Sequence, residues 1–295
     1  MAGGVDMNHA QQQELSESDD PAIDFCLWPY TAPSPPAAKL RSINLLNHSF
    51  EVAGADNRLS EVTQAIRRGF GPFNTVWGVK KRGDELSWEY YFYDYDRLDR
   101  TSSISRLLQV TRPYFDCPLA AHEDRPYFMF SVDLDDALVK RDRQLNEFNI
   151  YIGNVGSDVS SGICYSQGEA GLRMDNLYYF FDAKRQWDDI VGKVACSAHL
   201  DLPGLQIEQI LWPELVDCQT IVVANKKLCE GVYFSRITVD QLLLFMQRLA
   251  YPADLVLFIK QNRNRLDHML YDVGIDYVMD NGNIVPVKSA YYGVF

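Results

Sequence analysis

Apolar positions recur at helical spacing through residues 39–52 (KLRSINLLNHSFEV) and 58–70 (RLSEVTQAIRRGF), which predicts two helices ahead of any strand. The pattern then shortens to alternation, and the alternating stretches come in pairs. Residues 73–80 (FNTVWGVK) and 85–95 (ELSWEYYFYDY) flank a turn at Gly83, the signature of a hairpin. Residues 102–115 return to a helical pattern that Pro113 ends. Further pairs follow at 126–134 with 147–154, 162–167 with 172–182, and 220–226 with 231–237. The last pair, 274–279 with 283–295, meets at Asp280-Asn281-Gly282, a strong hairpin turn signal. Helical patterns cover 184–200, 238–251 and 254–273.

Ten strands in one antiparallel sheet curl or close, and closure removes exposed edges. The expected architecture is therefore α+β: a ten-stranded antiparallel β-barrel surrounded by α-helices. The outward strand faces would be apolar and the inward faces would line a chamber. Around Met129 the strand divides this way, with Phe128, Phe130 and Val132 on one face and Met129, Ser131 and Asp133 on the other. Residues 1–24 are polar and acidic and read as a flexible tail, leaving 25–295 as a single barrel domain. Residues 28–38 hold four prolines and read as an extended lead-in.

Composition narrows the function. The 28 basic residues against 40 acidic ones give a net charge of -12, which argues against a nucleic-acid partner. The six cysteines are scattered without metal-ligand spacing, and no apolar signal segment or run of about 18 apolar residues occurs. Free thiols, a cytoplasmic location and no membrane insertion are the expectations. P-loop, GxGxxG, HExxH and GxSxG motifs are not found in the sequence.

The chain is rich in tyrosine, with 17. Alternation puts Arg173, Asp175 and Tyr179 on one face of the third pair and Asn149 with Tyr151 inward on the second. It puts Asn225 and Lys227 on one face of the fourth pair, with Gly231, Tyr233 and Ser235 on the return strand, and Lys288, Ala290 and Tyr292 on the last strand. Tyr91 belongs to a cluster of which half must face outward. Cations ringed by phenols suit an allylic diphosphate: the cations hold the departing diphosphate, and aromatic faces shield the carbocation. Arg173, Lys227, Lys288, Tyr233 and Tyr292 are the candidate diphosphate ligands. Tyr91, Asn149, Tyr151 and Tyr179 form the candidate cage and acceptor pocket. Other readings stay open: Lys288 as a solvated edge lysine, Arg173 as a partner of Asp175, and Glu89 as an acceptor for phenol hydrogen bonds. Asp133 is a candidate for Mg²⁺, with Asp135 and Asp136 read as turn residues.

The order of these units resembles the ABBA-fold (PT-barrel) soluble prenyltransferases, closest to the branch acting on cyanobactin-type ribosomal peptides. The resemblance runs from about residue 38 to the C-terminus. It rests on KLRSINLLNHSFEV with the following LSEV, FSVDL before FNIYI, ILWPEL before TIVVANKK, and the closing VKSAYYGVF. It implies transfer of a dimethylallyl or geranyl group from its diphosphate to a side chain of a cyclic peptide. The family's first strand usually offers a carboxylate as general base. Here 73–80 has none, and Glu89 on the neighbouring strand is the nearest candidate. Where the family places basic groups on the second pair, this chain has Glu147, Asn149 and Tyr151. The segment 154–162 shows no helix between the second and third pairs. A non-catalytic barrel for a hydrophobic ligand or peptide, and a small-molecule aromatic prenyltransferase, are the alternatives.

Overall fold

The computed structural model describes residues 13–154, 160–200 and 205–295. Two helices come first, α1 (Ile43–Ala53) and α2 (Asn57–Phe70), the second started by Asp56, whose side chain accepts the Arg58 amide. Strands β1 (Thr75–Arg82) and β2 (Glu85–Tyr93) precede α3 (Ile104–Thr111). Next are β3 (Met129–Leu134), the short α4 (Asp136–Val139), β4 (Phe148–Gly153), β5 (Ser161–Gly168) and β6 (Gly171–Asp182). After α5 (Trp187–Ala195) come β7 (Thr220–Lys226), β8 (Glu230–Ile237), α6 (Val239–Arg248), α7 (Ala253–Gln261) and α8 (Arg263–Leu266). The chain ends with β9 (Tyr271–Asp280) and β10 (Asn283–Val294).

Each strand pairs antiparallel with its sequence neighbours, and β1 pairs with β10, Val76 opposite Val294, so the ten strands close into a barrel. The expected α+β barrel wrapped by helices is therefore present. Alternation assigns the two faces as expected along β2, β3, β4 and β10, but not along β6 and β7, and Phe128, expected outward just ahead of β3, lines the interior. Outward residues such as Phe92, Phe130, Phe148 and Phe234 are fully buried beneath the helices, each worth about 1.5–3 kcal/mol of burial. Polar pins fix the helices there: Tyr90 pairs with Thr63 of α2 at 2.7 Å, and Trp88 donates to Ser49 of α1 at 2.8 Å.

Three expectations need correction. The helix predicted over 254–273 breaks at Asn262, and Tyr271–Val273 belong to β9. The apolar run there serves a buried strand equally well, which periodicity alone does not separate from helix. Residues 13–24 of the expected tail pack against the barrel. The Ser16 amide donates to Lys39 at 2.7 Å, and Asp24 is buried in an ion pair with Arg236 at 2.9 Å. Residues 1–12 lie outside the described residues. Thirdly, Asp135 and Asp136 do more than turn the chain, since Asp135 caps α4 by accepting the Leu138 amide at 2.9 Å. Of the connection between the second and third pairs, residues 155–159 lie outside the described residues.

The packed N-terminal segment closes one mouth of the barrel. Asp24 accepts the amides of Cys26 and Trp28 at 2.9 and 3.0 Å, a side-chain turn that turns Phe25 into the mouth. The Phe25 amide donates to Asp272 at 2.9 Å, and Tyr93 and Tyr95 donate to the Phe25 and Cys26 carbonyls. The opposite mouth is rimmed by the hairpin turns.

Candidate functional site

The barrel interior has two halves. Toward the closed mouth the lining is apolar, with Phe25, Val76, Tyr93, Phe128, Met129 and Phe180. Toward the hairpin turns it is polar, with Lys80, Glu89, Asp133, Asn149, Lys226 and Lys288. Tyr91, Tyr151, Tyr178, Tyr233 and Tyr292 line both and form a belt between them. The empty space is about 670 Å³ in the apolar half and about 1030 Å³ in the polar half, counting the part open to solvent.

Glycines let the belt form. Tyr292 lies across Gly78, where a Cβ would come within 2.8 Å of its ring, and Tyr233 lies across Gly274, where the gap would be 2.3 Å. Ring centroids are 5.8 Å apart for Tyr91–Tyr292 and 6.0 Å for Tyr151–Tyr178 and Tyr178–Tyr233. Burial pushes the phenols of Tyr91, Tyr151, Tyr178, Tyr233 and Tyr292 above their ordinary value, so the belt presents neutral π-faces.

Two ion clusters occupy the polar half. In the first, Lys80 bridges Glu89, at 3.2 Å, and Asp133, while Ser131 donates to Glu89 at 2.6 Å. Glu89 and Asp133 are cross-strand partners, which is why one lysine reaches both. Burial disfavours the Glu89 charge, but Lys80 and the Ser131 hydrogen bond overcome it and hold the carboxyl down at about 2. Enclosure and the Glu89 charge raise Asp133 against the pull of Lys80. In the second cluster, Asp276 receives Lys226 at 2.6 Å on one oxygen and Lys288 at 2.8 Å on the other. Lys226 also donates to the Tyr233 hydroxyl at 2.8 Å. The two lysines outweigh burial and depress Asp276 to about 2.

Eight sequence-predicted residues meet in this chamber: Glu89, Tyr91, Asp133, Asn149, Tyr151, Tyr233, Lys288 and Tyr292. Three do not. Lys227 is exposed in the three-residue loop between β7 and β8, whose last cross-strand pair is Asn225 with Glu230. That register puts Val222, Ala224 and Lys226 inward, so Lys226 takes the place predicted for Lys227. Tyr179 faces outward, with Lys193 of α5 3.8 Å above its ring. A bulge in β6 opposite Cys164 and Tyr165 inserts Asp175 as an extra residue and reverses the alternation beyond it. Asn176 and Tyr178 point inward instead. Arg173 sits at the rim, 59% exposed, pairing with Asp175 at 2.8 Å and Glu147 at 3.5 Å.

Sequence reasoning missed Lys80, Lys226, Asp276, Asn176 and Tyr178. Alternation does place Lys80 with Gly78, and Asp276 with Gly274; no sequence signal marks the bulge. As for a cation, Asp133 gives one oxygen to Lys80 while its side chain stays 54% exposed to the chamber. Among the described residues no group of three or more His, Cys, Asp or Glu could hold a metal ion, so a Mg²⁺ at this one carboxylate would need phosphate oxygens beside it. Among the described residues no helix is long and apolar enough to cross a membrane, and all six cysteines are unpaired. No protein-family model and no curated protein matches the chain.

Proposed function

We propose that the protein is a prenyltransferase that moves a dimethylallyl or geranyl group from its diphosphate to a side chain of a peptide. The observation that carries this reading is the continuity of a five-tyrosine belt with a lysine-lined polar chamber inside one closed barrel. The diphosphate would sit in the polar half against Lys80, Lys226 and Lys288, and the isoprenoid in the apolar half. As the allylic C–O bond breaks, lysine ammoniums neutralise the departing diphosphate and the neutral tyrosine faces stabilise the allyl cation. Glu89, held as a carboxylate, takes the proton that the acceptor releases when it is alkylated. Asp133 would hold a Mg²⁺ carried with the diphosphate, whose charge adds to that of the lysines.

One observation favours a second reading, a barrel that binds a hydrophobic ligand without catalysis. The three chamber lysines face three carboxylates, Glu89, Asp133 and Asp276, so little cationic charge is left over for a diphosphate. Titration with geranyl thiolodiphosphate, followed by mass spectrometry of candidate cyclic peptides incubated with geranyl diphosphate, separates the two. A transferase binds the analogue and adds the prenyl mass to a peptide. Failure to bind the analogue removes the transferase reading.

A further inference from the structure

Asp276 is a single carboxylate shared by two ammoniums. Lys226 is buried on Oδ1, with 8% of its side chain exposed, and is also tied to Tyr233. Lys288 takes Oδ2, and 26% of its side chain opens on the chamber. On the neighbouring strand β1, Lys80 adds a third positive charge, and the carboxylates beyond it, Glu89 and Asp133, are already bridged by Lys80. Of the three lysines, Lys288 is the most open and the least neutralised. We propose that Lys288 is a nucleophilic amine that forms an imine with a small aromatic aldehyde seated on the tyrosine belt.

Placement and charge act in the same direction. A lysine beside another cation in a partly desolvated site gives up its proton readily and becomes a nucleophile. Burial, followed by the charges of Lys226 and Lys80, draws the Lys288 ammonium below its ordinary value despite Asp276. Cys229, in the loop joining β7 and β8, also faces this group. Tyr233 and Tyr292 line the same chamber and offer flat faces for an aryl ring. The step balances without an outside reagent. The neutral Lys288 amine adds to the carbonyl carbon, a C–N bond forms and one amine proton passes to the carbonyl oxygen; the carbinolamine then loses its hydroxyl together with the second amine proton as water. Imine and water are the products, and hydrolysis reverses the step. The imine needs neither diphosphate nor peptide, and it uses Lys288 as the free amine where the transferase reading uses its ammonium.

The test is reductive trapping of the full chain with benzaldehyde and sodium cyanoborohydride, with peptide mass mapping from about pH 6 to 10, a window that brackets a depressed lysine. Lys288 is expected to be modified at least about tenfold faster than exposed Lys227 at about pH 7.5, as a lysine crowded by a second cation reacts as its free amine. In Lys226→Met, Asp276 serves Lys288 alone, and its modification profile moves to higher pH. Equal rates at Lys288 and Lys227, no modification of Lys288, or an unshifted profile in a folded Lys226→Met would each overturn the proposal. Should that variant lose its far-ultraviolet circular dichroism, the wild-type rate ratio decides alone.

Discussion

Gly274→Ala is the most direct test of the tyrosine belt. The added methyl would stand 2.3 Å from Cδ1 and 2.5 Å from Cε1 of Tyr233. Tyr233 is not free to move aside, because its hydroxyl accepts from Lys226 at 2.8 Å and donates to Asp276 at 3.2 Å. Overpacking of this kind costs roughly 1–3 kcal/mol, and loss of a hydrogen bond to a charged group adds about 1.5–3 kcal/mol. Alanine recovers about 0.5–1 kcal/mol of backbone entropy relative to glycine in a strand. The net expectation is a destabilisation of about 3 kcal/mol, read as a lower urea midpoint by tryptophan fluorescence. In a Tyr233→Ala background the clash and the tether are both gone. The same glycine substitution should then be neutral or stabilising by about 0.5–1 kcal/mol. A coupling smaller than about 0.5 kcal/mol between the two sites, the scatter of independent mutations, would refute the packing account.

Three further outcomes follow from the same geometry. Glu89→Gln should cut prenyl transfer by about 10²–10⁴-fold, the span of a lost general base. Binding of the thiolodiphosphate should hold or tighten, because a negative charge has left the chamber; calorimetry and product mass spectrometry measure both. Phe25→Ala removes the side chain that ends the apolar half, so affinity for a farnesyl analogue should rise relative to a dimethylallyl one, at a stability cost of roughly 2 kcal/mol. Stability should also change with pH in two opposite ways. Glu89 and Asp276 are held near 2 in the folded state, so the stability they contribute is present above about pH 4 and is lost as pH falls toward 2. Asp272 is raised to about 7 by burial and the Asp24 charge, so it retains a proton only when folded, and stability falls as pH rises from about 4 to 7. Asp272→Asn should flatten the upper slope in urea titrations, and an unchanged slope would show that Asp272 is not its source.

The strand pattern made the barrel legible because both faces of each strand carry information. Phe130 and Val132 bury under helices while Ser131 and Asp133 stay inside, and a one-residue slip would reverse both. The chamber was legible wherever alternation ran unbroken, as from Glu89 to Tyr91 and from Lys288 to Tyr292. It failed on β6, where a bulge exchanged Tyr179 for Tyr178, and on β7, where the pairing of Val222 with Tyr233 and Ala224 with Gly231 puts Lys226 inside in place of Lys227. Such shifts depend on hydrogen-bond register between strands, which composition does not encode. The stopper was illegible for another reason. Its contacts, Asp24 with Arg236 and Phe25 with Asp272, join residues more than two hundred positions apart.

That stopper gives the chamber a direction. With Phe25 and its neighbours across one mouth, a ligand reaching the tyrosine belt enters past the hairpin turns and meets Lys80, Lys226 and Lys288 on the way. A molecule with an apolar end and an anionic end can then satisfy both halves in only one orientation, apolar end leading. Reversed, it would bury charge among Phe128, Met129 and Phe180 without partners, a cost of several kcal/mol. The excess of acidic residues does not oppose such entry at short range, because lysines held by buried carboxylates keep their donors in the polar half while most of the negative charge stays on the outer surface. Overall charge therefore says little about what this barrel admits, and the order of side chains along its axis says more.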